Sequence, residues 1–274
     1  MSIVPGIYDI SDIEYHNSEG ISRSDIMIFR KTPFHYWNEK LNPNRPPKDD
    51  EDTAAIRMGK MIHCYLLEPE KFSERYLVIE KINKTTKRGK EYAEQCEKLK
   101  GSRELVYDFE VTEIQAIEKA ISQNPQAKEL IAGAEYEKSF YWTDPHTGLL
   151  CKARPDIIHA NMVCDLKTAL SASRRDFQTS LYTYGAYIQA GMIHVAMKEV
   201  MQIDMKNFIY IVLEKNYPYA HAIYKLDELA IEQGIVEFKN TLLRIKECLE
   251  KNEWPSYETS IITLPAWAAN ETGV

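Results

Sequence analysis

The chain has 274 residues and a formal charge of −7, with 44% hydrophobic, 27% charged and 11% aromatic residues. This balance suits one large or two modest domains and excludes collagenous, low-complexity and wholly disordered classes. No apolar run approaches the roughly 18 residues needed to cross a bilayer, and Met1-Ser-Ile-Val-Pro-Gly-Ile-Tyr8 lacks the regions of a secretory leader, so a cytoplasmic chain without a membrane partner is expected.

Ser22-Arg-Ser-Asp25 offers capping chemistry for a short helix that Thr32-Pro33 ends. The connector Asn42-Pro-Asn-Arg-Pro-Pro47 and the acidic stretch Asp49 to Asp52 predict an exposed loop. Residues 53–67 have helical periodicity, with Ala54, Met58, Met61, Ile62, Tyr65 and Leu66 on one face and Glu68-Pro69 as the stop. A basic run follows: 81–103 holds eight Lys or Arg against three Glu. Polar helices are expected over 89–100 and 110–133.

From Tyr136 the pattern turns to period two. It predicts strands over 139–143, 149–159 and 162–168, joined by turns at Asp144-Pro-His-Thr-Gly148 and His159-Ala-Asn161 into an antiparallel meander. Ser173-Arg-Arg-Asp176 should cap a helix reaching to about 200. A strand pair, 206–214 and 221–225, and an amphipathic helix from Leu226 to about Leu249 complete a mixed α/β single domain. Its expected parts are an N-terminal helix and loop (1–52), a helical part (53–134), a sheet with a crossover helix (135–225) and a C-terminal helix and tail (226–274).

The five cysteines are scattered, with no CxxC, so a disulfide framework, a zinc site and an iron–sulfur cluster are not expected. P-loop, zincin, serine-hydrolase and dinucleotide signatures are absent as well. What remains is a set of carboxylates on adjacent strands. In extended chain, residues two apart share a face, so Asp165 and Lys167 project together while Leu166 turns to the core. A tight turn separates this strand from Arg154-Pro-Asp156, which brings Asp156 close to Asp165. Two convergent carboxylates make a hard oxygen site for Mg²⁺ or Mn²⁺, and a lysine beside them can orient a water or offset phosphate charge. Asp204-Met-Lys206 and Glu237-Phe-Lys239 repeat the triplet without a second carboxylate strand. His63 lies off the apolar face of its helix, one turn after Gly59, and is a candidate ligand.

The order Gly59-Lys-Met-Ile-His63, Arg154-Pro-Asp156, Asp165-Leu-Lys167, then a helix with a glutamine resembles the PDDEXK nuclease superfamily. Within it the chain resembles the RecE type, the exonuclease VIII-like phage and prophage exonucleases. Ser22 to Pro33, Met58 to Pro69, Glu137-Lys-Ser-Phe-Tyr-Trp142 and Trp254-Pro-Ser-Tyr257 match in the same order.

The resemblance implies a PDDEXK core, a mixed and mostly antiparallel sheet flanked by helices. It implies His63, Asp156, Asp165 and the Leu166 carbonyl as metal ligands for two Mg²⁺ or Mn²⁺ ions, and Lys167 as the catalytic lysine. Its glutamine is Gln189 by aromatic spacing, although Ile193 replaces the usual tyrosine and Gln178-x-x-x-Tyr182 keeps the spacing. Glu137 is an outer ligand or only a surface strand residue. Arg174, Arg175, Lys84, Lys87 and Arg88 are candidate DNA contacts.

The implied activity is Mg²⁺-dependent degradation of double-stranded DNA from its ends, 5′ to 3′, leaving single strand for a RecT-like annealing protein, with a homo-oligomeric ring as the implied assembly. An endonuclease of the same superfamily, or a catalytically silent DNA- or partner-binding relative, are the alternatives.

Overall fold

Capping chemistry sets many of the helix boundaries. The computed structural model describes residues 3–46, 53–83 and 85–264; the acidic stretch Asp49 to Asp52 and Lys84 lie outside them. A short strand β1 (Gly6–Tyr8) precedes α1 (Asp12–Asn17), where Ser11 and Glu14 form a reciprocal capping box. In α2 (Arg23–Lys31) the Ser22 N–H and hydroxyl both donate to Asp25. Thr32-Pro33 ends this helix and also opens α3 (Pro33–Lys40), because proline is pre-organised for the first helical position and Thr32 accepts from the His35 N–H. Glu68-Pro69 is used twice in the same way, ending α4 (Ala54–Leu67) and starting α5 (Pro69–Arg75).

The part expected to be helical, 53–134, also contains two strands. β2 (Tyr76–Ile79) and β3 (Glu104–Tyr107) pair in parallel, connected through α6 (Lys87–Lys100). α7 (Asp108–Ser122) and α8 (Pro125–Ile131) replace the single helix over 110–133. Pro125 cannot continue a helix, and Asn124 caps the new one by accepting from the Gln126 and Ala127 N–H groups.

β4 (Glu135–Tyr136), β5 (Ser139–Thr143), β6 (Leu150–Ala153), β7 (Ile157–His159) and β8 (Met162–Ala169) follow. The strand expected over 149–159 is divided at Arg154-Pro-Asp156, and its halves belong to different sheets. β6 joins a three-stranded sheet of order β1-β5-β6, while β7 joins the central one. The helix expected from 173 to 200 is also divided. α9 (Arg174–Thr183) stops before Gly185, whose φ of +64° is left-handed, α10 (Ala186–Ala196) resumes, and a π-turn over Met197–Met201 ends it. β9 (Asn207–Glu214), β10 (His221–Lys225) and α11 (Glu228–Lys251) complete the order.

The central sheet has the order β10-β9-β8-β7-β4; β8 and β9 run parallel and the other pairs antiparallel. It is a mixed sheet flanked by helices, as expected, and the meander expected over 139–168 is split between two sheets at Arg154-Pro-Asp156. Val163, Phe208, Tyr210 and Val212 face one core with α2, α10 and α11; Ile157, Cys164, Leu166 and Ile211 face another with α4, α7 and α8. The tail returns to the N-terminal helices. Trp254 stacks on Tyr36 and the Phe34 N–H donates to the Pro255 carbonyl at 3.1 Å.

α10 and α11 cross with almost no side chain between them. A Cβ on Gly191 would lie 2.4 Å from Ile235 N and 2.5 Å from the Gly234 carbonyl carbon. Both contacts are backbone, so no side chain can move aside. Gly191→Ala is expected to cost roughly 3 kcal/mol and to lower the melting temperature by about 6–12 °C. A thermal melt matching the wild type would show that this crossing is looser than described.

Candidate active site

Pro155 bends the chain between β6 and β7, and the Asp156 carboxylate turns back onto the next strand: its Oδ2 accepts the Leu166 N–H at 2.7 Å. β7 and β8 pair with Ile157 opposite Cys164, which sets Asp156 beside Asp165. Leu166 points into the α4 core, so Asp165 and Lys167 share the other face, as the two-residue period requires. Lys167 Nζ lies 2.5 Å from Asp165 Oδ2.

α10 supplies the third member of this group. Gln189 Nε2 donates to Asp165 Oδ1 at 2.8 Å, and Lys167 Nζ donates to Gln189 Oε1 at 3.1 Å. Of the two candidate glutamines, Gln189 is therefore the one that meets these residues; Gln178 is exposed on α9.

α4 brings His63 to the same place. A Cβ on Gly59 would lie 3.3 Å from Thr168 Oγ1, so the bare turn lets the helix lie against β8 one residue beyond Lys167. His63 Nδ1 is 3.6 Å from Asp156 Oδ2 and 3.7 Å from Glu137 Oε1. One donor atom from each of His63, Glu137 and Asp156 falls within 4.8 Å of the other two. Asp165 stands next to this trio rather than within it, with its oxygens on Gln189 and Lys167.

Glu137 is more central than a surface strand residue. Its backbone has a φ of +50°, left-handed and uncommon for a side chain without a local hydrogen-bonding trick. The Glu137 N–H donates to the Asp156 carbonyl at 3.1 Å, and Arg154 Nε donates to Glu137 Oε2 at 2.9 Å. Arg154 itself is anchored by donating to the Ile10 carbonyl at 3.1 Å. The sequence alone gives Arg154 no role, and its place two residues before Asp156 is the signal that ties it to the site. No pattern in the sequence marks the turn that brings Glu137 inward.

The electrostatics match a site built for a cation. Burial and the Asp165 charge push Asp156 up to about 7. Burial alone would favour neutral His63, but the charge of Asp156 and the hydrogen bond and charge of Glu137 outweigh it and raise His63 to about 9. Burial also pushes Glu137 upward, and its hydrogen bond to His63, their charge attraction and Arg154 hold it below the ordinary carboxylate value. Two carboxylates and an imidazole are a donor set that suits Mg²⁺ and, through the nitrogen, Mn²⁺ still better.

His63, Glu137, Asp156 and Gln189 open onto a cavity of about 1050 Å³. Cations also line it, among them Arg23, Lys60, Lys152, Arg154 and Lys215. The cations singled out from the sequence do not. Arg174 and Arg175 are exposed on the first turn of α9, Lys87 and Arg88 on that of α6, and none of the four lines the cavity. Spacing along the chain identified local charge but not the fold that gathers distant cations. Among the described residues, no helix is long and apolar enough to cross a membrane.

A crystal structure of a Eubacterium rectale protein described as a candidate exonuclease is similar over 97% of this chain and 100% of its own, with 15% identity and a TM-score of 0.60. That likeness is one of fold. An alkaline exonuclease from Laribacter hongkongensis aligns over 67% of this chain and 97% of its own, at 13% identity and a TM-score of 0.27. No curated protein sequence matches. Residues 22–262, most of the chain, match one family, and the chain belongs to it: the PDDEXK-like domain of unknown function, DUF3799.

Proposed function

We propose that this protein is a divalent-metal-dependent deoxyribonuclease that shortens linear double-stranded DNA from its ends. The observation that carries the reading is the convergence of His63, Glu137 and Asp156, from three separate segments, beside the Asp165–Lys167–Gln189 group. Membership of a PDDEXK-like family and a fold like that of a protein described as a candidate exonuclease support it.

In this reading His63, Glu137, Asp156 and, with the Leu166 carbonyl, Asp165 would hold Mg²⁺ or Mn²⁺, and the RecE resemblance implies two ions. A metal held there would supply Lewis-acid chemistry: polarisation of the scissile phosphate, a lower pKa for the attacking water and charge stabilisation at the leaving oxygen. Arg154 fixes the Glu137 carboxylate. Gln189 orients both Asp165 and Lys167, because its amide bonds the two at once. Lys167 presents its amine beside the carboxylates, where it meets a phosphate oxygen or the water. The cations around the cavity take the flanking phosphates.

Polarity from 5′ to 3′, a RecT-like annealing partner and a ring-shaped homo-oligomer are the finer parts of this reading and rest on the RecE resemblance. The presence of Asp156, Asp165 and Lys167 together speaks against a silent relative.

The test compares end-labelled linear duplex with closed circular duplex, with Mg²⁺ and with chelator, for wild type and Asp156→Ala. The expected result is metal-dependent loss of the linear substrate alone, absent in the variant. Cutting of the circle would make the protein an endonuclease, and no cleavage of either would end the reading.

A further inference from the structure

Two large apolar side chains stand almost fully in solvent at the end of the sheet that carries Lys167. Leu170, directly after β8, is 80% exposed, and Tyr217, in the loop between β9 and β10, is 86% exposed. Single exposed hydrophobics are ordinary; these differ in being held by a well-tied backbone. Ala169 pairs with Glu214 across the parallel β8–β9 register, and its carbonyl accepts the Lys215 N–H at 3.2 Å. Glu214 Oε1 accepts the Ala172 N–H at 2.8 Å, and Tyr224 donates its hydroxyl to the Ala172 carbonyl at 2.6 Å. Across the loop, the Tyr219 N–H donates to the Asn216 carbonyl at 2.8 Å, and the Tyr219 ring meets that of Tyr217 edge-on at 6.0 Å.

The rim borders the candidate active site: Leu170 and Tyr217 do not line its cavity, but each follows by two a residue that does. Thr168 and Lys215, the neighbours of these elements, line its cavity. Leu170 is the first residue past the end of β8 and so lies about 10 Å of strand rise beyond Lys167, or roughly three base steps of duplex rise. Arg174 and Arg175 begin the helix that follows. Apolar side chains set among cations are the means by which proteins hold unpaired nucleotides, with bases on the apolar surface and phosphates on the charges. Within a duplex each base face is covered by its neighbour, so open faces are found at an end, on the terminal pair and on the bases of strands that have parted there.

We propose that Leu170 and Tyr217 form a base-stacking rim that takes the unpaired bases of a DNA end while the adjoining phosphates enter the cavity. This rests on the nuclease reading and deepens it, because such a rim favours ends over continuous duplex.

The experiment titrates the full chain, in Ca²⁺ in place of Mg²⁺, against linear duplexes with 2-aminopurine in a two-nucleotide unpaired terminus and against closed circular duplex. Cleavage of the linear duplex by the same wild-type protein is followed in Mg²⁺. The proposal expects quenching of the terminal 2-aminopurine, and a Kd for the frayed end raised about tenfold by Leu170→Ser or Tyr217→Ser. Affinity for the circle should not change, and Tyr217→Trp should stay near the wild type. If wild type cleaves while both serine variants bind frayed ends as tightly as it does, the rim is overturned and the nuclease reading stands. If wild type neither binds nor cleaves DNA, both fall.

Discussion

Lys167→Ala is expected to lower Mg²⁺-dependent cleavage of linear duplex by about 10²–10⁴-fold, the range that a positioned proton-transfer or charge-offsetting group contributes. The same substitution should also be felt in stability. Asp165 is fully buried, and its Oδ2 has Lys167 Nζ at 2.5 Å. Removing the amine leaves a buried carboxylate with only the Gln189 amide facing it. Breaking a well-buried pair from one side costs about 3–5 kcal/mol; Lys167 is partly exposed, so about 2 kcal/mol is expected here. Adding Asp165→Asn to Lys167→Ala should recover most of that stability and none of the activity, because the amide carries no charge to strand. A single variant that keeps wild-type turnover would remove Lys167 from the chemistry, and a double variant no more stable than the single would show that the pair is not coupled.

The face on which Lys167 lies was legible in the sequence because strand geometry admits little choice. Asp165 and Lys167 are two apart and must share a side, Leu166 must take the other, and the turn at His159-Ala-Asn161 leaves only one way for Asp156 to approach. His63 was legible for a different reason: a glycine one turn earlier is unfavourable in a helix unless something passes close, and Thr168 does.

Glu137 was not legible in this way, since its place depends on a left-handed residue between β4 and β5 that no local pattern requires. The divisions in the longer elements were written in prolines and glycines that admit two readings. Thr32-Pro33 and Glu68-Pro69 stop one helix and start the next; Pro155 both breaks a strand and moves the chain from one sheet to another. Gly185 lies inside the helix expected from 173 to about 200, yet Met27 packs where its Cβ would be, with the sulfur 2.3 Å from that position, and the helix divides there. A β2–β3 pair in parallel could not be read at all, because parallel pairing joins segments that share no turn. The same limit applies to charge. The basic run 81–103 is conspicuous in the sequence, whereas the cations that line the cavity come from α2, α3, α4, α5, β6 and the segment after it, and the loop after β9, and only the fold gathers them.

The gathered charges give the second large effect, which is on metal binding. A divalent ion must find its ligands deprotonated, and here two of them hold protons unusually long: Asp156 to about 7 and His63 to about 9. Between pH 7 and 9 binding one ion should release about one proton, from His63, so the affinity should rise about tenfold per pH unit. Below pH 7 Asp156 must give up its proton as well and the dependence steepens; above pH 9 it should flatten. Without metal the sign is the reverse. A carboxyl raised above its ordinary 3.8 contributes stability that is lost as pH climbs towards 7, and an imidazole raised above 6.5 contributes stability lost as pH climbs through 9. The melting temperature in chelator should therefore fall from pH 5 to 9, while in excess Mn²⁺ it should fall less or rise, so that the two curves separate with increasing pH. Calorimetric titration of Mn²⁺ at pH 7, 8 and 9, in buffers of differing ionisation enthalpy, counts the protons directly. His63→Ala should abolish the release between pH 7 and 9 and weaken binding at pH 9. An affinity independent of pH between 7 and 9 would mean that His63 is not a ligand and that the cation is held by the carboxylates alone.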